Sequence, residues 1–348
     1  MGIDFDKLLT EELTYKVPDK ITSNSKGKRI LITGAAGSIG SSVAKVIAQE
    51  NCCRLMLLDQ SESGLYELQQ ELFLNRFSNF DCVIASITQK EVLEKVFLEF
   101  SPQIVIHTAA YKHVPLMEKF PYQSVQVNVF GTKIIADLAK KYKVESFVFA
   151  STDKAVNPRG VMGATKRIAE LYVAGLNNHQ HKIFKVVRFG NVPFSSGSVI
   201  PLFKKQLQFN KKITVTNQVI SRYFISMNKV CEIILEAMVE NTCDLLIYEM
   251  GSPVSIEKLA EKIIEKEGLK LNEVTIEKIG IRPGEKISEE IVYDDEIDVS
   301  ACDNPIKKYL LKIDEHIVEK VEKLTAVTAE YSNEKILKIL KEIVPQYK

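Results

Sequence analysis

The run Gly34-Ala-Ala-Gly37-Ser-Ile-Gly40 sets three glycines at even spacing directly after the apolar stretch Arg29-Ile-Leu-Ile-Thr33. Glycines there let the backbone turn tightly and approach a pyrophosphate. A helix opening at Ser38 and Ile39 would offer that anion free N–H groups and a positive dipole end. The spacing differs from the Gly-x-Gly-x-x-Gly of simple dehydrogenases, and alone it fits an ordinary strand-to-helix turn equally well. Asp59 adds weight to the first reading. It closes the next apolar run, Leu55-Met-Leu-Leu-Asp59, about twenty residues on, where a carboxylate holds adenosine ribose hydroxyls. The same charge repels a 2′-phosphate, so the expected dinucleotide is NAD and not NADP.

A second set of polar residues clusters around the ends of other apolar runs. Thr152, Asp153 and Lys154 follow Ser146-Phe-Val-Phe-Ala-Ser151, and Lys112 and His113 come shortly after Ile104-Val-Ile-His-Thr108. In a parallel sheet, ligands bind at the carboxyl edge of the strands, which is where these residues would lie. His113 is as readily structural as substrate-binding. His107 lies within its run and is expected to be buried.

These residues need a sheet to hold them. Apolar runs at 29–33, 55–59, 82–85, 104–108, 146–151 and 185–188 alternate with helical patterns at 38–49, 65–73, 90–100, 124–142 and 165–176. Such alternation implies βαβ crossovers, and near-continuous apolar strands imply a sheet covered on both faces. The expected fold class is α/β, a Rossmann-type doubly wound parallel sheet with a smaller mixed α/β substrate-binding lobe. The expected divisions are a lead-in at 1–27, an NAD-binding Rossmann domain at 28–190, a mainly substrate-binding lobe at 191–313 and a helical tail at 314–348. Pro193, Pro201, Pro253 and Pro283 interrupt shorter elements in the lobe, among them helices at 229–240 and 256–267. In the tail Ile336, Leu340 and Ile343 share one helical face.

Composition excludes several function classes. The 348 residues are 45% hydrophobic and 26% charged, ordinary for a globular chain of about two domains. Lys plus Arg total 46 against 45 acids, a net charge of +1, which argues against a general nucleic-acid binder. No apolar run is long enough to span a bilayer and the start lacks a secretion signal. The six cysteines, Cys52, Cys53, Cys82, Cys231, Cys243 and Cys302, form no Cys-x-x-Cys pair or zinc spacing. They are expected to be reduced thiols in a cytoplasmic protein, with no metal site.

Ala110-Tyr-Lys-His-Val-Pro-Leu-Met117, Ser151-Thr-Asp-Lys-Ala-Val-Asn-Pro158 and Met162-Gly-Ala-Thr-Lys166, taken with the glycine run, resemble the extended short-chain dehydrogenase/reductase family. Arg282-Pro-Gly-Glu-Lys286 adds a likeness to its polysaccharide-biosynthesis branch, which contains UDP-N-acetylglucosamine 4,6-dehydratases. The resemblance runs from Ile3-Asp-Phe-Asp-Lys-Leu-Leu9 to the tail Leu340-Lys-Glu-Ile-Val-Pro-Gln-Tyr347. One position departs from it: Met162 stands where the family usually has the tyrosine of a Tyr-x-x-x-Lys pair. A thioether cannot take a hydroxyl proton, so the site is either dead or uses another base. Methionine there is similar to the membrane-anchored dehydratase subgroup, which includes enzymes that open bacillosamine synthesis. That subgroup carries a membrane region ahead of its soluble domain. This chain shows none, and is expected to be either a truncated chain, the cytoplasmic domain of a bacterial inner-membrane protein, or a naturally soluble relative.

The resemblance implies a cofactor set of Gly34, Gly37, Ser38, Ile39, Gly40, Asp59, Ser86, Ile87, Ala109 and Lys166, the last on the nicotinamide ribose. Relatives often carry Asp where Ser86 stands before Ile87, so a weaker adenine contact is expected. The substrate set is Lys112, His113, Asn191, Arg222, Arg282 and Glu285. Alone each arginine would be a solvated surface charge; the motif matches Arg222-Tyr-Phe and Arg282-Pro-Gly-Glu-Lys turn both toward the pyrophosphate, with Glu285 on ribose hydroxyls.

The expected chemistry removes hydride from C4 of UDP-N-acetylglucosamine, then water across C5–C6, and returns hydride to C6. Asp153 would take the O4 proton in place of the missing tyrosine and hand it to the departing 6-hydroxyl. Lys154 would take the C5 proton and give one back, and Thr152 would hold O4. Lys154 must be uncharged for this, and the nicotinamide cation beside it favours the neutral amine until hydride transfer removes that charge. The alternative for Asp153 and Lys154 is a salt bridge that shapes the strand end. The subgroup resemblance favours retention at C5, giving UDP-2-acetamido-2,6-dideoxy-D-xylo-hexos-4-ulose. The rivals are a 5-inverting dehydratase, a 4-epimerase, and a non-catalytic NAD-binding regulatory protein. A homodimer paired through the helices at 124–142 and 165–176 is the expected assembly.

Overall fold

A computed structural model describes residues 17–49, 54–178, 181–216, 219–302, 304–324 and 327–348. Most of the expected lead-in, with Cys52 and Cys53, lies outside them. Six segments form the parallel strands β1 (Arg29–Thr33), β2 (Arg54–Asp59), β3 (Phe80–Ile84), β4 (Ile104–His107), β5 (Ser146–Thr152) and β6 (Phe184–Phe189). Strands β4 and β6 are buried throughout, as strands covered by helices on both faces must be. Their order is β3-β2-β1-β4-β5-β6. The winding reverses between β1 and β4, where Thr33 lies beside His107. At such a reversal the flanking helices leave on opposite faces and a crevice opens at the strands' carboxyl ends.

Helices Ser38–Gln49 and Lys90–Phe100 keep the bounds that their apolar periodicity predicts. The helix expected over 124–142 is instead a short turn Pro121–Ser124, a π-helical stretch Val125–Gly131 and an α-helix Thr132–Lys141. The widened stretch carries the buried Asn128. Its Oδ1 accepts from the Tyr111 N–H at 2.8 Å, and its Nδ2 donates to the Tyr111 carbonyl at 3.0 Å. A π-turn therefore fixes the loop after β4, a device that apolar periodicity does not reveal.

Beyond residue 190 the chain divides its work. Part of it is a small lobe: helices Val199–Asn210 and Ile256–Lys266, the parallel pair β7 (Lys212–Val215) with β11 (Thr275–Lys278), and the antiparallel pair β8 (Ser221–Arg222) with β10 (Val254–Ser255). Phe203, Leu207, Ile213, Leu259 and Ile263 form its core. The other part returns to the main sheet. Strand β9 (Leu245–Tyr248) pairs parallel with β6, and β13 (Ile306–Leu310) and β12 (Ile297–Asp298) follow antiparallel, making nine strands. The 191–313 segment is thus only partly a separate lobe. Strand β9 is apolar and fully buried, so it needs neighbours on both sides.

The tail forms two helices, Ile317–Leu324 and Asn333–Ile343. Ile317, Val321, Ile336 and Leu340 join the same core as Ile168 and Tyr172 of helix Val161–Gly175. This corrects one expectation: that helix is covered by the chain's own tail, because its outer side is apolar too, and does not offer a free pairing face. Of the two helices proposed to pair, the one ending at Lys141 keeps an exposed end at Lys140 and Lys141. Among the described residues Cys82, Cys231, Cys243 and Cys302 form no disulfide. Among the described residues no helix is long and apolar enough to cross a membrane.

Candidate active site

The glycine run crosses the top of β1. Gly34 has φ +72°, and a Cβ there would lie 2.5 Å from the Ala109 nitrogen; a Cβ on Gly40 would lie 2.2 Å from the Gly34 carbonyl oxygen. Neither position admits a side chain. Asp59 ties into the same loop: Oδ2 accepts from the Ala36 N–H at 3.0 Å and Oδ1 from the Ser61 N–H at 2.9 Å. Gly34, Gly37, Asp59, Ser86, Ile87 and Ala109 line one cavity. The cradle without room for side chains and the carboxylate at its rim fit a dinucleotide. Ser38 and Ile39 do not line that cavity. Ser38 Oγ accepts from the Ser196 N–H at 3.0 Å, joining the glycine loop to the segment beyond β6, and Ile39 packs on the core. The Ser86 and Thr88 hydroxyls share a hydrogen bond at 2.9 Å.

Strand β5 ends at Thr152, and Asp153–Ala155 form a single 3-10 turn. The Thr152 hydroxyl donates to Asp153 Oδ1 at 2.9 Å. Lys154 Nζ donates to that same oxygen at 2.9 Å and to Asn191 Oδ1 at 3.0 Å. Asp153 is fully buried, and its Oδ2 has no hydrogen-bond partner. A buried carboxylate oxygen left unpaired is a place for a proton or a hydroxyl donor. The ion pair that would shape the strand end and the pair that would move protons are the same two side chains.

Helix Val161–Gly175 presses on this turn: a Cβ on Gly163 would lie 2.2 Å from the Lys154 carbonyl oxygen. Met162 is buried in an apolar cluster with Val114 and Met117, against Tyr111. Lys166 Nζ donates to the Ala150 carbonyl at 2.6 Å and sits 3.8 Å from the Phe149 ring centroid. Burial pushes its amine down to about 7. His107 is buried, as expected, between the hydroxyls of Thr33 (2.6 Å) and Thr132 (3.0 Å). Thr132 gives its own hydrogen to the Asn128 carbonyl, which assigns the ring proton to Nε2. Burial, with Lys166 adding to it, holds His107 down at about 3, so it stays neutral.

Lys112 Nζ donates to Ser195 Oγ at 3.3 Å, and burial, then Lys154, lowers its proton affinity. His113 is lowered by burial and then by Lys112 and Arg282. Lys112 thus lies within electrostatic reach of Lys154, and His113 within reach of Lys112 and Arg282, a basic grouping of the kind that attracts anions. The two arginines differ. Arg282 is half-exposed and pairs with Glu285, its Nε 3.0 Å from Oε1. Arg222 is buried, and its donors reach the carbonyls of Ser221 (2.7 Å), Lys286 (2.9 Å) and Ile287 (3.2 Å). It fastens the 286–287 backbone and has little left for a phosphate.

Sequence reasoning missed a group beyond residue 286. Glu289 is buried within reach of Lys154, Arg222 and Lys286. Glu296, with Glu170, flanks the fully buried Arg188. The acidic residues at 289–290 and 294–296, following the basic motif at 282–286, were the available signal.

Residues 30–310 match the family described as polysaccharide biosynthesis protein. The chain is 41% identical over 92% of its length to the capsular polysaccharide biosynthesis protein CapD of Staphylococcus aureus, and spans about half of that relative, 54%. An inverting UDP-N-acetylglucosamine 4,6-dehydratase of Campylobacter jejuni is 30% identical over 78% of this chain and 79% of its own. A UDP-glucose 4-epimerase of Rickettsia massiliae is as similar, 30% over the same shares. Among solved structures, Thermus thermophilus UDP-glucose 4-epimerase in complex with NAD superposes with a TM-score of 0.64 at 20% identity, over 86% of this chain and all of that one, 100%. That likeness establishes the Rossmann-type fold.

Proposed function

The chain belongs to the polysaccharide biosynthesis protein family, and from that premise we propose that it is an NAD-dependent UDP-N-acetylglucosamine 4,6-dehydratase. The observation that carries the reading is Asp153: a buried carboxylate with one unpartnered oxygen, its other oxygen 2.9 Å from the Lys154 amine. An epimerase needs one group to take and return the O4 proton and has no use for a second pair at C5 and C6. A dehydratase needs both.

NAD, when bound, supplies the acceptor and later the donor of the two electrons at the sugar. The chain's own residues manage the protons. Asp153 takes the O4 proton and becomes neutral. Lys154, uncharged, takes the C5 proton, which the 4-ketone has made acidic. Asp153 then passes its proton to the leaving 6-hydroxyl, and one water departs. Lys154 returns a proton to C5, so both side chains end as they began. Thr152 holds O4, and Asn191 keeps the Lys154 amine in place through its 3.0 Å contact. Lys112 and Arg282 face the diphosphate, with Arg222 acting behind them on the backbone. Lys166 lies one turn beyond Met162 and serves the nicotinamide ribose. Met162 takes no proton, because Asp153 carries that task.

The likeness of Met162 to the subgroup described above is what supports retention at C5. Inversion is the second reading, favoured by the Campylobacter relative, which is named as inverting. Incubation with UDP-N-acetylglucosamine, followed by NMR of the product, tests all of this. The expected product is the 4-keto-6-deoxy sugar, and its H5 couplings report the configuration. A 4-epimer, or no turnover by NAD-loaded protein, overturns the reading.

A further inference from the structure

We propose that Glu289 is a positioning residue: it is the fixed anion that stabilises the positive charge on Lys154 after that amine has taken the C5 proton. This rests on the dehydratase reading and extends it to a residue that belongs to none of the motifs described above. The Glu289 side chain is 3% exposed. Its Oε1 lies 3.9 Å from Lys154 Nζ and 3.8 Å from Arg222 Nε, and its Oε2 lies 3.5 Å from Lys286 Nζ. Oε2 has no hydrogen-bond partner. Three cations, Lys154, Arg222 and Lys286, surround this deeply placed carboxylate and offset the cost of its burial.

Two of those cations are engaged elsewhere as well. Arg222 donates to backbone carbonyls, and Lys286 Nζ donates to the Val156 carbonyl. Lys154 is the one that must change its charge. The groups facing it are Asp153 on its own turn, Asn191 after β6, Lys112 on the loop after β4 and Glu289. In the proposed cycle Asp153 carries no charge while it holds the O4 proton. During that interval Glu289 is the carboxylate within 4 Å of the amine, while Lys112 opposes the new charge. An opposite charge at that range raises the proton affinity of an amine. Glu289 would therefore make Lys154 a stronger base at the C5 step, acting through that amine.

The test uses the full chain, NAD and UDP-N-acetylglucosamine in D₂O, comparing wild type with Glu289→Gln and Glu289→Asp. Two quantities are followed: reduced-nicotinamide absorbance in the first turnover, which reports C4 oxidation, and deuterium uptake at C5 by NMR. The Gln variant should oxidise C4 within about twofold of wild type while C5 uptake, compared above the acidic limb where Lys154 starts uncharged in both proteins, slows about tenfold or more. The acidic limb of the uptake rate against pH should move to lower pH, because a lost anion makes the ammonium easier to deprotonate. Glu289→Asp should recover most of the uptake. Unchanged uptake and an unmoved limb overturn the proposal. So does an equal fall in both quantities with the limb in place, which would mean that Glu289 only fastens Arg222 and Lys286. If the Gln variant does not fold, the Asp variant decides: uptake slowed severalfold with C4 oxidation intact supports the role, and wild-type uptake rejects it. If wild type neither oxidises C4 nor takes up deuterium, the dehydratase reading itself has failed.

Discussion

The Tyr293 hydroxyl donates to the carbonyl oxygen of Ala155, 138 residues earlier in the chain, at 2.9 Å. Ala155 ends the turn that carries Asp153 and Lys154. Tyr293 is itself held from two sides: the Arg167 guanidinium lies 4.1 Å from its ring centroid, and its N–H donates to Glu296 Oε2 at 3.1 Å. Glu296 in turn pairs with Arg188 at 2.8 Å and Arg167 at 3.2 Å, and Glu170 pairs with Arg188 at 2.8 Å. Two guanidinium groups and two carboxylates balance in a space with almost no water contact. Burial opposes the charge on Arg188, yet Glu170 and Glu296 together hold it firmly protonated. The turn proposed to move protons thus rests on a neutral, buried frame.

Breaking that frame on one side should be costly. Glu296→Gln leaves a positive charge in excess among buried groups, and about 3–5 kcal/mol of stability should be lost. Tyr293→Phe removes one hydrogen bond and keeps the ring beneath Arg167, so about 1 kcal/mol is expected. Its turnover should nevertheless fall more than its stability, since Ala155 is released. Urea denaturation midpoints and turnover rates, measured side by side, check both statements.

Asp59 accepts two backbone N–H groups of the loops at the cofactor crevice, one with each oxygen. Asparagine can accept only one of them and brings no charge. Asp59→Asn should weaken NAD binding by about tenfold and narrow the preference against NADP, because the repulsion of a 2′-phosphate is gone. Fluorescence titration with both dinucleotides reads the two affinities. Equal affinities in variant and wild type would remove Asp59 from the ribose.

Strands and their tips were readable because their signals are local. Arg29–Thr33 is apolar and β-rich, Ser38–Gln49 repeats its apolar residues at helical spacing, and Asp59 and Asp153 stand at the ends of apolar runs. The π-stretch at Val125–Gly131 was not readable, since it depends on Asn128 meeting Tyr111 across a loop. Glu289, Tyr293 and Glu296 escaped for a related reason. They sit in a segment without periodicity, and their partners Lys154, Ala155 and Arg188 lie more than a hundred residues away. Arg222 shows the converse: its residue type suggests a phosphate ligand, but the fold commits its guanidinium to carbonyls of its own chain.

The division of labour between Asp153 and Lys154 separates in D₂O. Lys154→Ala should abolish deuterium uptake at C5 while C4 is still oxidised, so the reduced-nicotinamide absorbance accumulates. Asp153→Asn should suppress that absorbance, because O4 has lost its proton acceptor. Uptake that persists in the first variant removes Lys154 from the base role. Normal absorbance in the second removes Asp153 from O4.

Lys185 offers a test of the buried sheet that lies apart from both this frame and the proposed chemistry. It is buried in β6, its Nζ donates to Ser146 Oγ at 2.8 Å, and burial pushes its amine down to about 7 from the ordinary 10.5. Its folded-state value lies below the unfolded one, so between these two values the unfolded chain binds more protons than the folded chain. Stability must then rise with pH across that window. Below about 7 the full cost of a buried ammonium is present, and above 10.5 it has vanished. Lys185→Met removes the group. The variant should melt higher than wild type near pH 6, and the gain should shrink steadily toward pH 10. A gain that does not change with pH would mean that the amine stays charged in the fold.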